Sequence, residues 1–126
     1  MHIRGLSCIF PAADIRITAD FYVSKLGFRA VEYLQCAQPH ICLYRDDAEV
    51  ILLQANTKTI RPNRALYGYG YDAYFYTADQ EALEQEYLSR DVRIITRLNT
   101  TDYQNKEFVI EDPDGRHLAF GLKLKD

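Results

Sequence analysis

Half of the ten tyrosines fall in one short stretch, Tyr67 to Tyr76, which reads Tyr-Gly-Tyr-Gly-Tyr-Asp-Ala-Tyr-Phe-Tyr. Its second part, Tyr71 to Thr77, is aromatic and β-favouring, and Gly68 and Gly70 make a flexible lead-in. A strand here puts Asp72, Tyr74 and Tyr76 on one face and Ala73, Phe75 and Thr77 on the other. Two phenols and a carboxylate on a shared face can stack against a ligand and hold its polar or cationic group, which is the chemistry of binding. The competing readings are an amphipathic surface or an interface for a protein partner.

Other residues capable of chemistry are thinly spread. Glu107 and Glu111 share one face of a second strand, without a partner at a known acid/base spacing. Cys36, His40 and Cys42 are close in sequence, yet two thiols and one imidazole at spacings of four and two match no metal-ligand pattern. His2 is terminal, and His117 begins a strand. Asp14, Asp46, Asp47 and Asp79 are best placed as helix caps and turn residues. Cys8, Cys36 and Cys42 are odd in number and lack a Cys-x-x-Cys spacing, so buried reduced thiols are expected. No nucleophile elbow or phosphate loop is present.

The chain has 126 residues, 48% hydrophobic, enough for a real core. A net charge of −3 with no basic run argues against nucleic acid and anionic membranes as partners. No apolar run approaches the roughly 18 residues of a membrane span, and no leader precedes the first strand, so a soluble, cytoplasmic protein is expected.

Several elements must position these residues. Ile3 to Phe10 reads as a strand ending at Pro11. Asp14 caps a helix in which Ile15, Ala19, Tyr22 and Leu26 form an apolar stripe, and Gly27 stops it. Strands follow at Phe28 to Gln35, His40 to Arg45 and Glu49 to Ala55, with a turn at Asp46 to Ala48. After a polar link from Asn56 to Ala65, the order repeats. Strand Tyr71 to Thr77 precedes a helix from Asp79 to Arg90 with Ala82, Leu83 and Tyr87 as its buried stripe. Then come Val92 to Leu98, a loop at Asn99 to Gln104, and a hairpin of Glu107 to Glu111 and His117 to Lys123 turning at Asp112-Pro113-Asp114-Gly115. At an offset of about 65 residues, Ala13-Asp14 matches Ala78-Asp79, Tyr22 matches Tyr87, and Ser24-Lys25 matches Ser89-Arg90. The expected fold is α+β: two paired β-α-β-β-β modules, about 1–56 and 66–126 of a single domain, whose curved mixed sheets surround a cup with helices on the outer faces.

The run Ala13-Asp14-Ile15, Phe21-Tyr22 and Lys25-Leu26-Gly27-Phe28, with Arg45-Asp46-Asp47 and Lys106-Glu107-Phe108 through Asp112-Pro113-Asp114-Gly115, resembles the vicinal oxygen chelate superfamily. Within it, the chain is most similar to the bleomycin resistance proteins. The superfamily's enzymes hold a divalent metal through four inward strand positions, which this resemblance places at Ser7, Leu52 or Gln54, Asp72 and Ala119. That set is too poor in donors for a tight divalent site. The resemblance therefore implies a metal-free homodimer without a cofactor that sequesters an aromatic or cationic small molecule. Tyr33, Tyr44, Gln54, Asp72, Tyr74, Tyr76 and Tyr103 are the expected ligand contacts. The alternative is a metal-dependent lyase, transferase or dioxygenase of the same superfamily.

Overall fold

The computed structural model describes residues 2–124. They divide into two compact units that part between Ile60 and Arg61, inside the expected polar link. The first unit runs β1 (Cys8–Ala12), α1 (Ile15–Ser24), β2 (Arg29–Tyr33), β3 (His40–Arg45) and β4 (Ala48–Gln54). Its sheet has the order β1-β4-β3-β2, with β1 parallel to β4 and the other pairs antiparallel. The second unit runs α2 (Asn63–Tyr67), β5 (Ala73–Tyr76), α3 (Gln80–Ser89), β6 (Ile94–Thr100), β7 (Asn105–Glu111) and β8 (His117–Lys123), in a sheet of order β5-β8-β7-β6. The β-α-β-β-β order thus occurs twice, and α3 repeats α1 at an offset of 65 residues at both ends.

In the first unit, Asp14 caps α1 as its residue type dictates, its Oδ1 accepting from the N–H groups of Arg16 at 3.0 Å and Ile17 at 3.2 Å. Residues on one side of the sheet, Phe10, Ala12, Ile41, Leu43, Val50 and Leu52, are buried. The first strand is displaced from its expected place. Residues 2–7 lie outside regular structure, with Ile3 and Leu6 exposed, while Pro11 sits inside β1 opposite Leu53. Proline is tolerated there because β1 is an edge strand, where one missing N–H breaks no ladder.

The second unit has an aromatic core. Phe120 stacks on Phe75 at 4.8 Å and on Phe108 at 5.3 Å between centroids, and Tyr87 of α3 meets Phe120 edge-on at 5.4 Å. The side of α3 that is buried differs from the expected stripe. Gln80, Glu84 and Tyr87 are buried, whereas Ala82 is exposed. Both polar residues reach backbone groups of the sheet: Glu84 Oε2 accepts the Leu98 N–H at 2.7 Å, and Gln80 Nε2 donates to the Lys106 carbonyl at 3.3 Å. Strand β6 pairs irregularly with β7 near Thr96, so Glu84 supplies an acceptor beside the disturbed ladder. The link also holds α2, which lacks hydrophobic periodicity; its start is held by the Asp72 carboxylate, and Gly68 ends it at φ +94°.

All three cysteines are free thiols. Cys42 is buried as expected and Cys8 half-buried, but Cys36 is exposed in the turn before β3. No helix is long and apolar enough to cross a membrane, among the described residues.

Candidate functional site

Strand alternation divides the second sheet cleanly. Phe75, Phe108 and Phe120 point toward α3, so Tyr74, Tyr76, Asn105, Glu107, Val109, Ala119 and Gly121 point the other way. On that face Tyr74 stands opposite Ala119, and Tyr76 and Glu107 flank Gly121 on either side. Two small residues in the central strand leave room for the aromatic rings beside them.

Glu107 is the centre of this face. It is only 1% exposed, and three phenols converge on it. Tyr71 donates to Oε2 at 2.6 Å, Tyr103 to the same oxygen at 2.8 Å, and Tyr74 to Oε1 at 2.9 Å. Tyr71 and Tyr103 touch hydroxyl to hydroxyl at 3.3 Å, and Asn105 Nδ2 donates to the Tyr74 oxygen at 3.0 Å. The rings of Tyr71, Tyr74 and Tyr76 follow one another at centroid separations of 6.4 and 5.5 Å. The hydroxyl ends are gathered inward and the rings face outward: Tyr71 is 36% exposed, Tyr103 56% and Tyr76 75%. Burial, followed by the Glu107 hydrogen bond, holds the Tyr71 and Tyr74 phenols well above the ordinary tyrosine range. Tyr103 is raised as well, by burial first; the Tyr71 hydroxyl beside it pulls the other way, and the bond to Glu107 adds to the rise.

The structure brings Tyr74, Tyr76 and Tyr103 together, and adds Tyr71, Asn105 and Glu107 to them. The sequence signal for Glu107 is its spacing of four from Glu111, which puts the two on one strand face without saying which. The signal for Tyr71 was the stretch itself, but only the chain path ahead of β5 shows that its hydroxyl turns back to Glu107. Asp72, expected on the same face as Tyr74, lies just ahead of β5, and both its oxygens are engaged by backbone N–H groups, from Asn63 at 2.9 Å and His117 at 3.0 Å. It ties α2 to β8. Glu111 is likewise surrounded, by Arg64 at 3.3 Å, His117 at 3.2 Å and Arg93 at 3.3 Å.

The remaining expected contacts lie in the first unit. Gln54 points to the α1 side, where its Oε1 accepts the Ile15 N–H at 3.0 Å and its amide donates to the Ala13 carbonyl at 2.8 Å. It closes the first turn of α1 and is not on the open face. Tyr33 and Tyr44 are on the opposite side of that sheet. Tyr33 stacks on His40 at 5.0 Å, and Tyr44 lies under the Arg29 guanidinium at 4.9 Å. Glu49 accepts from the hydroxyls of Ser7 and Tyr44; the bond to Glu49 and a second to Cys42 push the Tyr44 phenol up to about 12.

Strand register also revises one of the four positions at which relatives would hold a metal. Ala119 stands opposite Tyr74, and in the first unit the residue opposite Ile9, the counterpart of Tyr74, is Ile51. The equivalent position is therefore Ile51; Leu52 is buried and, like Gln54, belongs to the α1 side. Ser7 and Ile51 in one unit, and Asp72 and Ala119 in the other, offer one hydroxyl bonded to Glu49 and one carboxylate with both oxygens taken. Such residues do not fit a divalent ion, which needs several free anionic or imidazole donors. Among the described residues, no group of three or more His, Cys, Asp or Glu side chains is arranged to hold a metal.

A family model described as the Glyoxalase/Bleomycin resistance protein/Dioxygenase superfamily matches residues 4–120. No curated protein matches the sequence. Solved structures with the same fold include a glyoxalase/bleomycin resistance protein/dioxygenase from Alicyclobacillus acidocaldarius, with a TM-score of 0.77 and 19% identity over 100% of this chain and 97% of that one. TnmS3, an antibiotic binding protein from Streptomyces sp. CB03234, has a TM-score of 0.72 and 19% identity over 96% and 97% of the two chains. TioX from Micromonospora sp. ML1 has a TM-score of 0.71 and 15% identity over 96% and 99%.

Proposed function

Because the chain belongs to the glyoxalase/bleomycin resistance protein/dioxygenase superfamily, we propose that it is one of the superfamily's small-molecule binders and sequesters an aromatic compound without transforming it. The observation that carries this reading is the cluster of Tyr71, Tyr74 and Tyr103 around Glu107. Hydrogen bonds fix the phenols from behind while the rings remain exposed, so aromatic surface is preorganised and little side-chain entropy is lost when a ligand stacks on it. The lack of metal donors at Ser7, Ile51, Asp72 and Ala119 supports the same reading, as does the likeness in fold to an antibiotic binding protein.

A micromolar complex requires about 8 kcal/mol. A planar ligand burying roughly 300 Å² of apolar surface gains about 7 kcal/mol at 25 cal/mol per Å², before the cost of association. Stacking on Tyr71, Tyr76 and Tyr103 adds roughly 0.5 to 1.5 kcal/mol for each ring. Burial and stacking together gain about 9 to 12 kcal/mol, and an association cost of at least about 4 kcal/mol leaves about 5 to 8 kcal/mol, which spans roughly 100 μM to 1 μM. The proposed working form is a homodimer, which a solution mass would show.

Calorimetric titration of the protein with bleomycin and with planar cationic dyes tests the proposal. Binding tighter than about 100 μM, equivalent to roughly 5.5 kcal/mol, and weakened by Tyr76→Ala, is expected. Conversion of a bound compound into product, or one equivalent of a transition metal retained through chelator dialysis, would overturn it.

A further inference from the structure

We infer that Tyr69 is a further ligand contact, the second wall of a slot that takes a flat aromatic ring between it and Tyr71. The inference rests on the binding reading above and names the shape of the ligand. The two tyrosines are two residues apart and held in opposite ways. Tyr71 is fixed: its hydroxyl donates to Glu107 at 2.6 Å, its carbonyl accepts from Asn63 Nδ2 at 3.1 Å, and Asp72 beside it is tied to the backbone of Asn63 and His117. Its ring is nonetheless 36% exposed. Tyr69 is 83% exposed and, among the described residues, has neither a ring contact nor a hydrogen bond. One wall is set and the other is free to come to it.

The chain around Tyr69 is suited to that movement. Gly68 has φ +94° and Gly70 φ +110°, and a Cβ built on either meets nothing within 4 Å, so neither glycine is needed to admit a neighbour. What they supply is backbone freedom on both sides of Tyr69. The dimensions suit a sandwich. Across two residues the chain spans at most about 7 Å, and in an extended stretch residues i and i+2 project to the same side. A flat ring at van der Waals contact lies about 3.5 Å from each neighbour, so the rings that enclose it stand about 7 Å apart. Tyr69 can therefore close over a ring lying on the exposed side of Tyr71, and a body thicker than one ring does not fit. Tyr67, also exposed at 72%, is not placed for this role. It ends α2, four residues before Tyr71, where the Gly68 N–H donates to the Arg64 carbonyl at 2.9 Å and closes the helix.

Two cations of equal charge and different thickness make the test: 9-aminoacridine, which is flat, and 1-adamantanamine, which is rounded. Titrated calorimetrically into the intact protein, the acridine should bind more tightly than the adamantane amine. Tyr69→Ala should weaken the acridine about three- to tenfold, the worth of one stacked ring, and leave the adamantane amine unchanged. Tyr69→Phe keeps the ring and should retain the parent affinity, and Tyr67→Ala should leave it unchanged. Because both tyrosines are exposed, none of these substitutions should move the urea unfolding midpoint. An acridine affinity that Tyr69→Ala changes by less than twofold, or that Tyr67→Ala lowers as much as Tyr69→Ala does, overturns the slot and leaves the binding reading intact. An acridine that fails to bind while bleomycin binds does the same. If neither compound binds, the slot and the binding reading fall together.

Discussion

Gly121 is where the fold and the candidate site depend on the same atom. A Cβ built on it would lie 2.4 Å from the Lys106 carbonyl oxygen, 2.6 Å from Glu107 Cβ and 2.8 Å from Glu107 Cα. Ordinary contact begins at 3.4 Å, so Gly121→Ala forces β7 and β8 apart by about 1 Å at the Glu107 pair. A ladder bond stretched that far is lost. Losing one or two such bonds costs about 0.5 to 1.5 kcal/mol each, and the forced displacement of a packed strand adds roughly 1 to 3 kcal/mol. The expected destabilisation is thus about 2 to 5 kcal/mol, a large part of the stability of a domain this size. With a urea slope of about 1 to 3 kcal/mol per molar, the unfolding midpoint should fall by about 1 to 2 M. Circular dichroism during urea titration measures this, with Gly5→Ala as the control, since a Cβ there meets nothing within 4 Å. Because Glu107 moves with β7, Gly121→Ala should also weaken binding of a planar cationic dye in whatever folded protein remains. A destabilisation below about 0.5 kcal/mol, the scatter of ordinary surface substitutions, would refute the argument from close approach.

Above about pH 10 the protein should lose stability, because Tyr71, Tyr74 and Tyr103 keep their protons in the folded state after unfolded tyrosines have begun to ionise. Tyrosinate absorbance should rise in two stages, the later coinciding with unfolding; a single stage completed before any change in circular dichroism would refute it. At the acid end, burial raises the Glu84 carboxyl, but bonds from Arg97 and the Leu98 N–H more than offset this and leave it below its usual value. Its contribution is present above the unfolded carboxylate range and disappears as pH falls through the lowered folded value, so urea midpoints of Glu84→Gln should depend less on acid than those of the parent. Glu84→Ala, which leaves the Leu98 N–H without its acceptor, should cost about 1 to 3 kcal/mol at neutral pH. Asp72→Asn should cost a similar 1 to 3 kcal/mol and speed amide exchange at Asn63 and His117, with little change in affinity for a cationic dye; a large affinity loss with unchanged exchange would restore Asp72 as the charged contact.

The sequence was most legible where one residue type has one local job. Asp14 before an apolar stripe, and Asp-Pro-Asp-Gly between two strands, place α1 and the β7–β8 hairpin closely, and the offset of 65 residues anticipates the second helix. Positions set by pairing were less visible. The expected position, Leu52 or Gln54, and Ile51 differ in which residue of β4 lies opposite β1, and a shift of one residue exchanges the faces. Asp72 looked like a ligand handle because a carboxylate among tyrosines suggests one; only tertiary structure brings two backbone N–H groups to it. The spacing of Glu107 and Glu111 gives a shared strand face, but the three partners of Glu107 come from Tyr71 and Tyr74, over thirty positions away, and from Tyr103 across a turn. Exposed Cys36 follows from a turn whose backbone carbonyls meet its thiol at 3.1 and 3.3 Å.

The two helices of the repeat hold their sheets by different kinds of contact. Ile15, Ala19 and Tyr22 of α1 correspond to Gln80, Glu84 and Tyr87 of α3, and all six are buried. At the first two positions, one helix grips with grease and the other with directed bonds to the Lys106 carbonyl and the Leu98 amide. A greasy seam tolerates sliding, since it loses only fit; a seam built on Glu84 and Gln80 tolerates none, because a shift of one turn strands a buried carboxylate and a buried amide together. Pulled along its axis, α3 should therefore resist until its middle lets go in one abrupt step, whereas α1 carries its directed bonds at its two ends, from Gln54 at the Ile15 N–H and from Arg45 at the Leu26 carbonyl. The same asymmetry bears on how the halves could be recombined: a chain carrying two copies of the second half would fix its helix registers from mid-helix, whereas two copies of the first would depend on Gln54 and Arg45 at the helix ends.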